Sequence, residues 1–443
     1  MLQRKIAAYI KQQLTSNAQK VLIIDGARQV GKSFIIREIG KEMFKNYVEV
    51  NLLEDSVGQK CFEKCTTVQD FYFQLSMLAG NRLRNKNDTL IFLDEIQVYP
   101  HLLTLLKFLR QDNRFTYIAS GSLLGVTLSK TSSIPIGSIE VKQMYQLDFE
   151  EFLWANGVAQ SAIEMLREKF NKRIALDENT HARLLDLFRK YLLVGGMPEA
   201  VNSWLSDINI AALREIQNTI HEYYGMDAAK YDKPRRLKIK RIYDLIPSIM
   251  GNKKKRINYK DIENKDKRYL DYADEFDYLI NSGIALETKS VSTAVFPLLA
   301  NGISSSRGAK NLIKLYLNDV GLLTAQLFGN NIRAVLDDDC SVNLGAVYET
   351  VVASELNAHG HSLWYYDNSK IGEVDFLIDN YDTLSVLPIE VKSGKDYNVH
   401  SALNRFITNK DYSVKHALVL SNEREIKTKG AITYMPIYNV MFI

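Results

Sequence analysis

Apolar positions in the first third of the chain fall into short continuous runs. Val21-Leu-Ile-Ile-Asp25, Thr89-Leu-Ile-Phe-Leu-Asp94 and Phe115-Thr-Tyr-Ile-Ala-Ser120 are such runs. Short runs bounded by turn residues predict strands buried on both faces. Tyr47 to Leu53 alternates in β-branched fashion and predicts another strand, and Ile139 to Phe149 a fifth. Between them, residues 1–20, Phe34 to Phe44, residues 66–84 (Val68, Phe71, Leu75, Leu78) and Leu102 to Leu109 carry helical spacing. Strands alternating with helices predict an α/β domain around a parallel sheet.

The pattern then changes. Phe149 to Trp154 begins a helix, and residues 151–232 read as helical, with Arg183 to Leu193 the clearest amphipathic segment. Gly195-Gly-Met-Pro198 ends it. Arg236 to Ile246 and Tyr272 to Ile280 predict two more helices, followed by the strand-like Ile284 to Val291. Towards the C-terminus, Ala346 to Leu356 predicts a helix, and Trp364–Tyr366, Glu373–Ile378 and Leu387–Lys392 predict strands.

Composition narrows the class. The chain has 443 residues, 46% of them hydrophobic, which predicts several packed cores. No apolar run reaches the roughly eighteen residues of a membrane span, and the first residues do not read as a signal peptide. Three cysteines fit a reducing compartment, so the expected location is cytoplasmic. Cys61 and Cys65 lack nearby His or Cys partners and do not make a zinc site. A net charge of +4 permits nucleic-acid binding without demanding it.

The chemistry concentrates after the first strand. Gly26, Ala27, Arg28, Gln29, Val30, Gly31, Lys32 and Ser33 form a glycine-bounded loop entering a helix. In that context the sequence predicts a P-loop. Gly26 and Gly31 let the backbone curl so that its amides face phosphate oxygens. The helix N-terminus adds positive potential. Lys32 is expected on the phosphates and Ser33 on Mg²⁺, with ATP as the nucleotide. Asp94 and Glu95 end the run beginning at Thr89, as in a Walker B strand. Asp94 is expected in the Mg²⁺ shell, and Glu95 is the candidate catalytic residue that orients the attacking water. Ser120 and Ser122, at the end of the strand after Phe115, are candidates to sense the γ-phosphate. In ATPases of the additional-strand class, this strand lies between the P-loop strand and the Walker B strand.

The middle of the chain is divided by charge. Residues 233–260 hold eleven Lys or Arg against one Asp, including Arg235, Arg236, Lys238, Lys240, Arg241 and the run Lys253 to Arg256. Residues 261–277 then carry seven acids. Helix, short strand, helix and wing suggest a winged helix, with duplex DNA as candidate partner. The competing reading is a charged face packed against the chain's own acidic segment. Acids at Asp271, Asp274, Glu275 and Asp277 disfavour major-groove reading by the second helix.

A second constellation is C-terminal. Asp375, a hairpin-length gap, then Glu390-x-Lys392 has the spacing of the PD-(D/E)xK nuclease fold, which it resembles. Glu349, Asp375 and Glu390 are candidate Mg²⁺ ligands, and Lys392 the candidate catalytic residue beside the attacking water. Such folds also persist as inactive binding modules.

Gly26–Ser33, Asp94 to Gln97, Ser120-Gly-Ser122, Leu147 to Leu153, Leu193 to Pro198, Leu315 to Leu322, Gly345–Glu349 and Glu373–Lys392 together resemble a prokaryotic AAA-like ATPase family with a C-terminal DUF4143 domain. The resemblance covers nearly the whole chain. With the patterns read above, the expected domains are a P-loop core (residues 1–155), a helical lid (156–232), a winged-helix-like domain (233–335) and a restriction-endonuclease-like α/β domain (336–443). Family members place a Gly-Arg pair after the sensor strand; here the stretch is Ile136-Gly-Ser138, and no Arg occurs between Arg114 and Arg167. That departure predicts a slow ATPase switch and not a fast motor. The expected function is such a switch coupled to a DNA-associated nuclease-like domain, with a homo-oligomer among the expected partners. The alternative is a nucleotide-controlled regulatory protein with an inactive nuclease fold.

Overall fold

The computed structural model describes residues 2–16, 20–122, 137–230, 236–252, 255–263, 269–300, 313–336, 344–394 and 398–443. Arg235, Lys253 and Lys254, named above for DNA contact, lie outside them. The chain divides into two compact units, residues 1–146 with 281–283, and residues 147–280 with 284–443.

The first unit is built on strands β1 (Val21–Asp25), β2 (Asn46–Asn51), β3 (Thr89–Asp94), β4 (Thr116–Gly121) and β5 (Ile139–Gln143). Their order is β2-β3-β4-β1-β5, and every pairing is parallel. The strand ending in Ser120 therefore lies between the P-loop strand and the Walker B strand, as expected. Helix α1 (Lys5–Thr15) precedes β1, and α2 (Lys32–Met43), α3 (Leu52–Val57), α4 (Val68–Ala79) and α5 (Pro100–Asp112) connect the strands up to β4. One core joins Ile23, Val50, Ile91 and Leu93 of the sheet to Phe71 and Leu75 of α4 and Leu102 and Leu106 of α5. Each such side chain contributes about 1.5–3 kcal/mol by leaving water. The α4 start is fixed by a capping box, Thr67 with Asp70. The strand predicted to run to Leu53 ends at Asn51 instead. Its side-chain oxygen accepts from the Leu53 and Glu54 amides, which caps α3.

The second unit begins with helices, among them Phe149–Ala155, Gln160–Asn171, Glu178–Val194, Pro198–Ser206 and Ile210–Lys230. Gly195 (φ 73°) caps the third of these, and the next residue, Gly196, is required for a packing reason. A Cβ there would lie 1.9 Å from the Leu147 carbonyl oxygen, and the Leu147 amide donates to the Gly196 carbonyl at 2.8 Å.

An eight-stranded mixed sheet completes the unit, in the order β12-β13-β11-β10-β9-β8-β6-β7. Its strands are β6 (Ala285–Val291), β7 (Ile313–Leu317), β8 (Trp364–Asn368), β9 (Gly372–Asn380), β10 (Ser385–Val391), β11 (Ala417–Ser421), β12 (Lys427–Lys429) and β13 (Ile432–Pro436). Here the structure departs from the sequence reading. The strand read as a wing, β6, pairs antiparallel with β7 and parallel with β8, with Lys289 opposite Trp364 and Val291 opposite Tyr366. It is an interior strand of the C-terminal sheet. It pairs on both sides, Ala285–Lys289 with β7 and Lys289–Val291 with β8, so it does not form a free wing. The boundary expected at residues 335 and 336 therefore runs through one continuous sheet.

Candidate nucleotide site and C-terminal carboxylate cluster

The P-loop is shaped by backbone constraints on either side of it. Gly26 has φ of 151°, and a Cβ on it would lie 2.1 Å from the Met144 carbonyl oxygen. The Met144 amide donates to Asp25 O at 2.7 Å, which holds the chain after β5 against the loop. Gln29 (φ 64°) and Gly31 (φ 98°) take left-handed conformations, and Gly31 opens α2. Ala27 and Val30 are buried beneath the loop. Arg4 had no sequence signal. It is 7% exposed and donates to Val30 O at 2.9 Å and Tyr145 O at 2.6 Å, so residues before α1 brace the loop.

Lys32 donates to the loop's own Gly26 and Ala27 carbonyls at 2.9 and 2.8 Å. Burial lowers its pKa, opposed by the negative charges of Glu95, Asp25 and Asp94, while Arg28 adds a like charge nearby. Ser33 Oγ donates to Asp94 Oδ1 at 2.8 Å, and Ser120 Oγ donates to the same oxygen. Burial pushes the Asp94 carboxyl up, and the two hydroxyls hold it down. Glu95 sits in the left-handed region, φ 57°, an uncommon place for a side chain of its size. Its Oε2 accepts from Ser122 Oγ at 3.1 Å and from Gln97 Nε2. Gln97 in turn accepts from the Ser122 amide at 3.2 Å. Gln97 and Ser122 thus fix the carboxylate proposed for water.

These donors fit a Mg²⁺ nucleotide. A curled backbone and a buried ammonium suit phosphates. A hydroxyl and a carboxylate already in contact suit a hard cation's oxygen shell.

Residues 18–153 match the AAA domain family. That stretch spans the P-loop and all five strands of the first sheet. Residues 185–332 match a domain of unknown function (DUF8612), and residues 344–440 match another (DUF4143). Among solved structures, a Walker-type ATPase of Pyrococcus abyssi is similar at 14% identity, over 74% of this chain and 96% of that one, with a TM-score of 0.44. The Orc1 protein of Aeropyrum pernix, in complex with DNA, is similar at 14% identity over 75% of this chain and 91% of its own, with a TM-score of 0.26. No curated protein matches the sequence.

In the second unit, Asp375 on β9 and Glu390 on β10 follow the Phe376–Ile389 pair on neighbouring antiparallel strands. Asp375 Oδ2 accepts from the Val391 amide at 2.8 Å. Lys392 lies on the same side as Glu390, 2.8 Å from its Oε1, as expected. Burial raises the Asp375 carboxyl well above its ordinary range, and Glu390 and Glu349 raise it further. The three carboxylates are thus close enough to feel one another.

Glu349, Asp375 and Glu390 were expected to share one Mg²⁺ ion. Among the described residues, no group of three or more His, Cys, Asp or Glu is arranged to hold a metal ion. Glu349, on helix Gly345–Ala358, is instead engaged by Lys255, by Tyr316 OH at 3.1 Å and by Lys314 at 4.0 Å. Lys314 is fully buried and lies 2.6 Å from Glu373, and Arg256 bridges Glu373 at 2.8 Å and Asp367 at 2.7 Å. Burial would lower the Lys314 pKa, but Glu349, Glu373 and Asp375 outweigh it and raise it. Protein ammonium groups supply the compensating charge that a bound cation would bring.

Lys255 and Arg256, in the run weighed from sequence as either phosphate contacts or a charged face packed against acids, are partners of these acids. Lys238 pairs with Glu263 at 3.2 Å and Lys240 with Asp244 at 2.6 Å. Of these pairs, Lys238 with Glu263 joins the basic stretch to the acidic segment 261–277 weighed as its partner; the others reach acids outside that segment. Lys314 and Tyr316 were missed. A lone Lys inside the apolar strand Ile313–Leu317 was their one signal.

Proposed function

We propose that this protein is a slow, ATP-controlled switch whose second unit acts as a binding module and not as a metal-dependent nuclease. The observation carrying this reading is the capture of Glu349 by Lys255, Lys314 and Tyr316. A carboxylate already neutralised by buried lysines is a poor third ligand for Mg²⁺.

In the first unit, Ser33 and Asp94 would hold Mg²⁺, and Lys32 with the loop amides would bind the phosphates of ATP. The ion would neutralise charge on the transferring phosphoryl group. Glu95, braced by Gln97 and Ser122, orients water and takes its proton. Slowness is supported by the lack of any Arg between Arg114 and Arg167, since an Arg at the γ-phosphate contributes strongly to rate. ATP-driven assembly of copies that lend one another an Arg is compatible with this scheme.

One observation favours active cleavage instead. Asp375 and Glu390 are neighbours beside Lys392, and Glu390 Oε2 is buried with no hydrogen-bond partner. The deciding experiment is Mg²⁺- and Mn²⁺-dependent cleavage of mixed DNA and RNA substrates, with and without ATP. The binding-module reading expects no cleavage and ATP-dependent retention of a partner, with DNA the first to try. Cleavage abolished by Asp375→Ala would replace it with the nuclease reading.

A further inference from the structure

The P-loop follows the C-terminal end of β1. At the opposite end of the same sheet, an open cleft of about 420 Å³ is bounded by Val21 and Leu22 of β1 and by Thr116 and Tyr117 of β4. That volume lies in the range of small-molecule sites, roughly 300–1,000 Å³. Lys20, Lys86 and Arg110 line the cleft, with the carboxamides of Gln13, Asn87 and Asn113, and among the described residues no Asp or Glu does. The nearest acids in sequence are engaged elsewhere. Asp88 pairs with Lys45 at 3.3 Å, and Asp112 pairs with Arg114 at 2.9 Å and accepts from Tyr72 OH at 2.9 Å. Among the described residues, Lys20 and Arg110 have no ion-pair partner.

The ordinary explanation for cations here is the negative end of the helix dipoles. It accounts for Arg110, in the last turn of α5. It does not account for Lys20 or Lys86, which lie in connections outside the helices. Lys86 is moreover held in place: its ammonium donates to Asn113 Oδ1 at 2.5 Å, and Thr116 Oγ1 donates to its carbonyl at 3.0 Å. A fixed ammonium, two further cations and three carboxamides suit a ligand with a phosphate-bearing end.

We propose that this cleft binds a small phosphorylated molecule, its phosphate taken by Lys20, Lys86 and Arg110. The site is separate from the P-loop and needs no contact with it.

Inorganic pyrophosphate is the probe. Calorimetric titration of the full-length protein at constant ionic strength should find two sites per chain. Lys32→Ala should remove one. Combined Lys86→Ala and Arg110→Ala should remove the other, and Mg·ATP binding should persist. Lys20→Ala, a change at an exposed residue, should weaken the second site about tenfold, the usual effect of losing one charged hydrogen bond. Lys86→Arg should restore most of the affinity, which separates a ligand contact from a folding defect. A single pyrophosphate per chain in the unmodified protein would overturn the proposal. So would a second site that survives loss of both Lys86 and Arg110.

Discussion

The carboxylate of Asp319 accepts a hydrogen bond from the amide of Gly196 at 2.6 Å, across 123 residues of chain. Its other oxygen caps the helix Val320–Phe328 through the Leu322 amide at 3.1 Å. Gly195-Gly-Met-Pro198 and Asn318-Asp-Val-Gly321, which lie in two stretches that carry the family resemblance, are thus one packing joint. Burial pushes the Asp319 carboxyl up to about 6, against the pull of the amides of Gly196, Leu322, Gly321 and Met197. A raised acid pKa means the folded chain holds its proton where the unfolded chain has lost it. Stability should therefore fall as pH rises from about 4 to about 6, then level off. Denaturant unfolding should show the protein losing roughly 3 kcal/mol relative to Asp319→Asn across that window. Parallel pH curves for the two proteins would contradict this.

The same joint predicts the cost of filling it. Gly196→Ala places a Cβ where the Leu147 carbonyl oxygen already stands. The second unit should lose about 1–3 kcal/mol or more, read as a lower thermal midpoint. Gly394→Ala, where a Cβ meets nothing within 4 Å, is the control and should change little.

Lys32→Ala removes the ammonium expected to meet the phosphates. Equilibrium titration should show Mg·ATP binding weakened by a factor of about ten or more. Ordinary affinity in this variant would sink the P-loop assignment.

Glu95→Gln preserves shape and removes the carboxylate that orients water. Binding should persist while turnover drops about a hundredfold or more. Ser122→Ala and Gln97→Ala should each lower turnover by a smaller factor, since they release Glu95 without removing it. Rapid turnover by a demonstrated monomer of the unmodified protein would contradict the slow-switch reading.

Lys255 gives the sharpest contrast between the two readings of the basic segment. As a partner of buried Glu349, Lys255→Ala should destabilise the second unit by several kcal/mol, about 3–5 for a broken buried pair. It should leave the salt dependence of any DNA binding unchanged. A log–log salt slope reduced by roughly 0.9, with stability intact, would make it a phosphate contact.

The first unit was largely legible because its signals are local. Continuous apolar runs gave its buried strands, and the P-loop chemistry resides in eight consecutive residues, Gly26 to Ser33. The placement of β4 between β1 and β3 followed from class resemblance. Arg4 was not legible, since nothing in Leu2-Gln-Arg-Lys announces a contact with Val30. The second unit was less legible because its pairings are remote in sequence. Nothing in the run Lys253 to Arg256 says that Lys255 will meet Glu349. A basic run looks the same whether its partner is a phosphate or a distant carboxylate. Glu349, Asp375 and Glu390 stood in the expected order, but order does not reveal that lysines have taken the counter-charge.

Strand β6 leaves the ribosome before the strand that will flank it. It can pair at once with β7 through their antiparallel ladder, but β8 is made only after helix Gly345–Ala358. Until then the nascent hairpin presents an unpaired edge, the kind of surface that recruits foreign strands. At about 5–20 residues per second that exposure lasts seconds. Synthesis slowed after residue 317, or a chain truncated before β8, should therefore yield aggregates, and a chaperone that shields strand edges should rescue the yield.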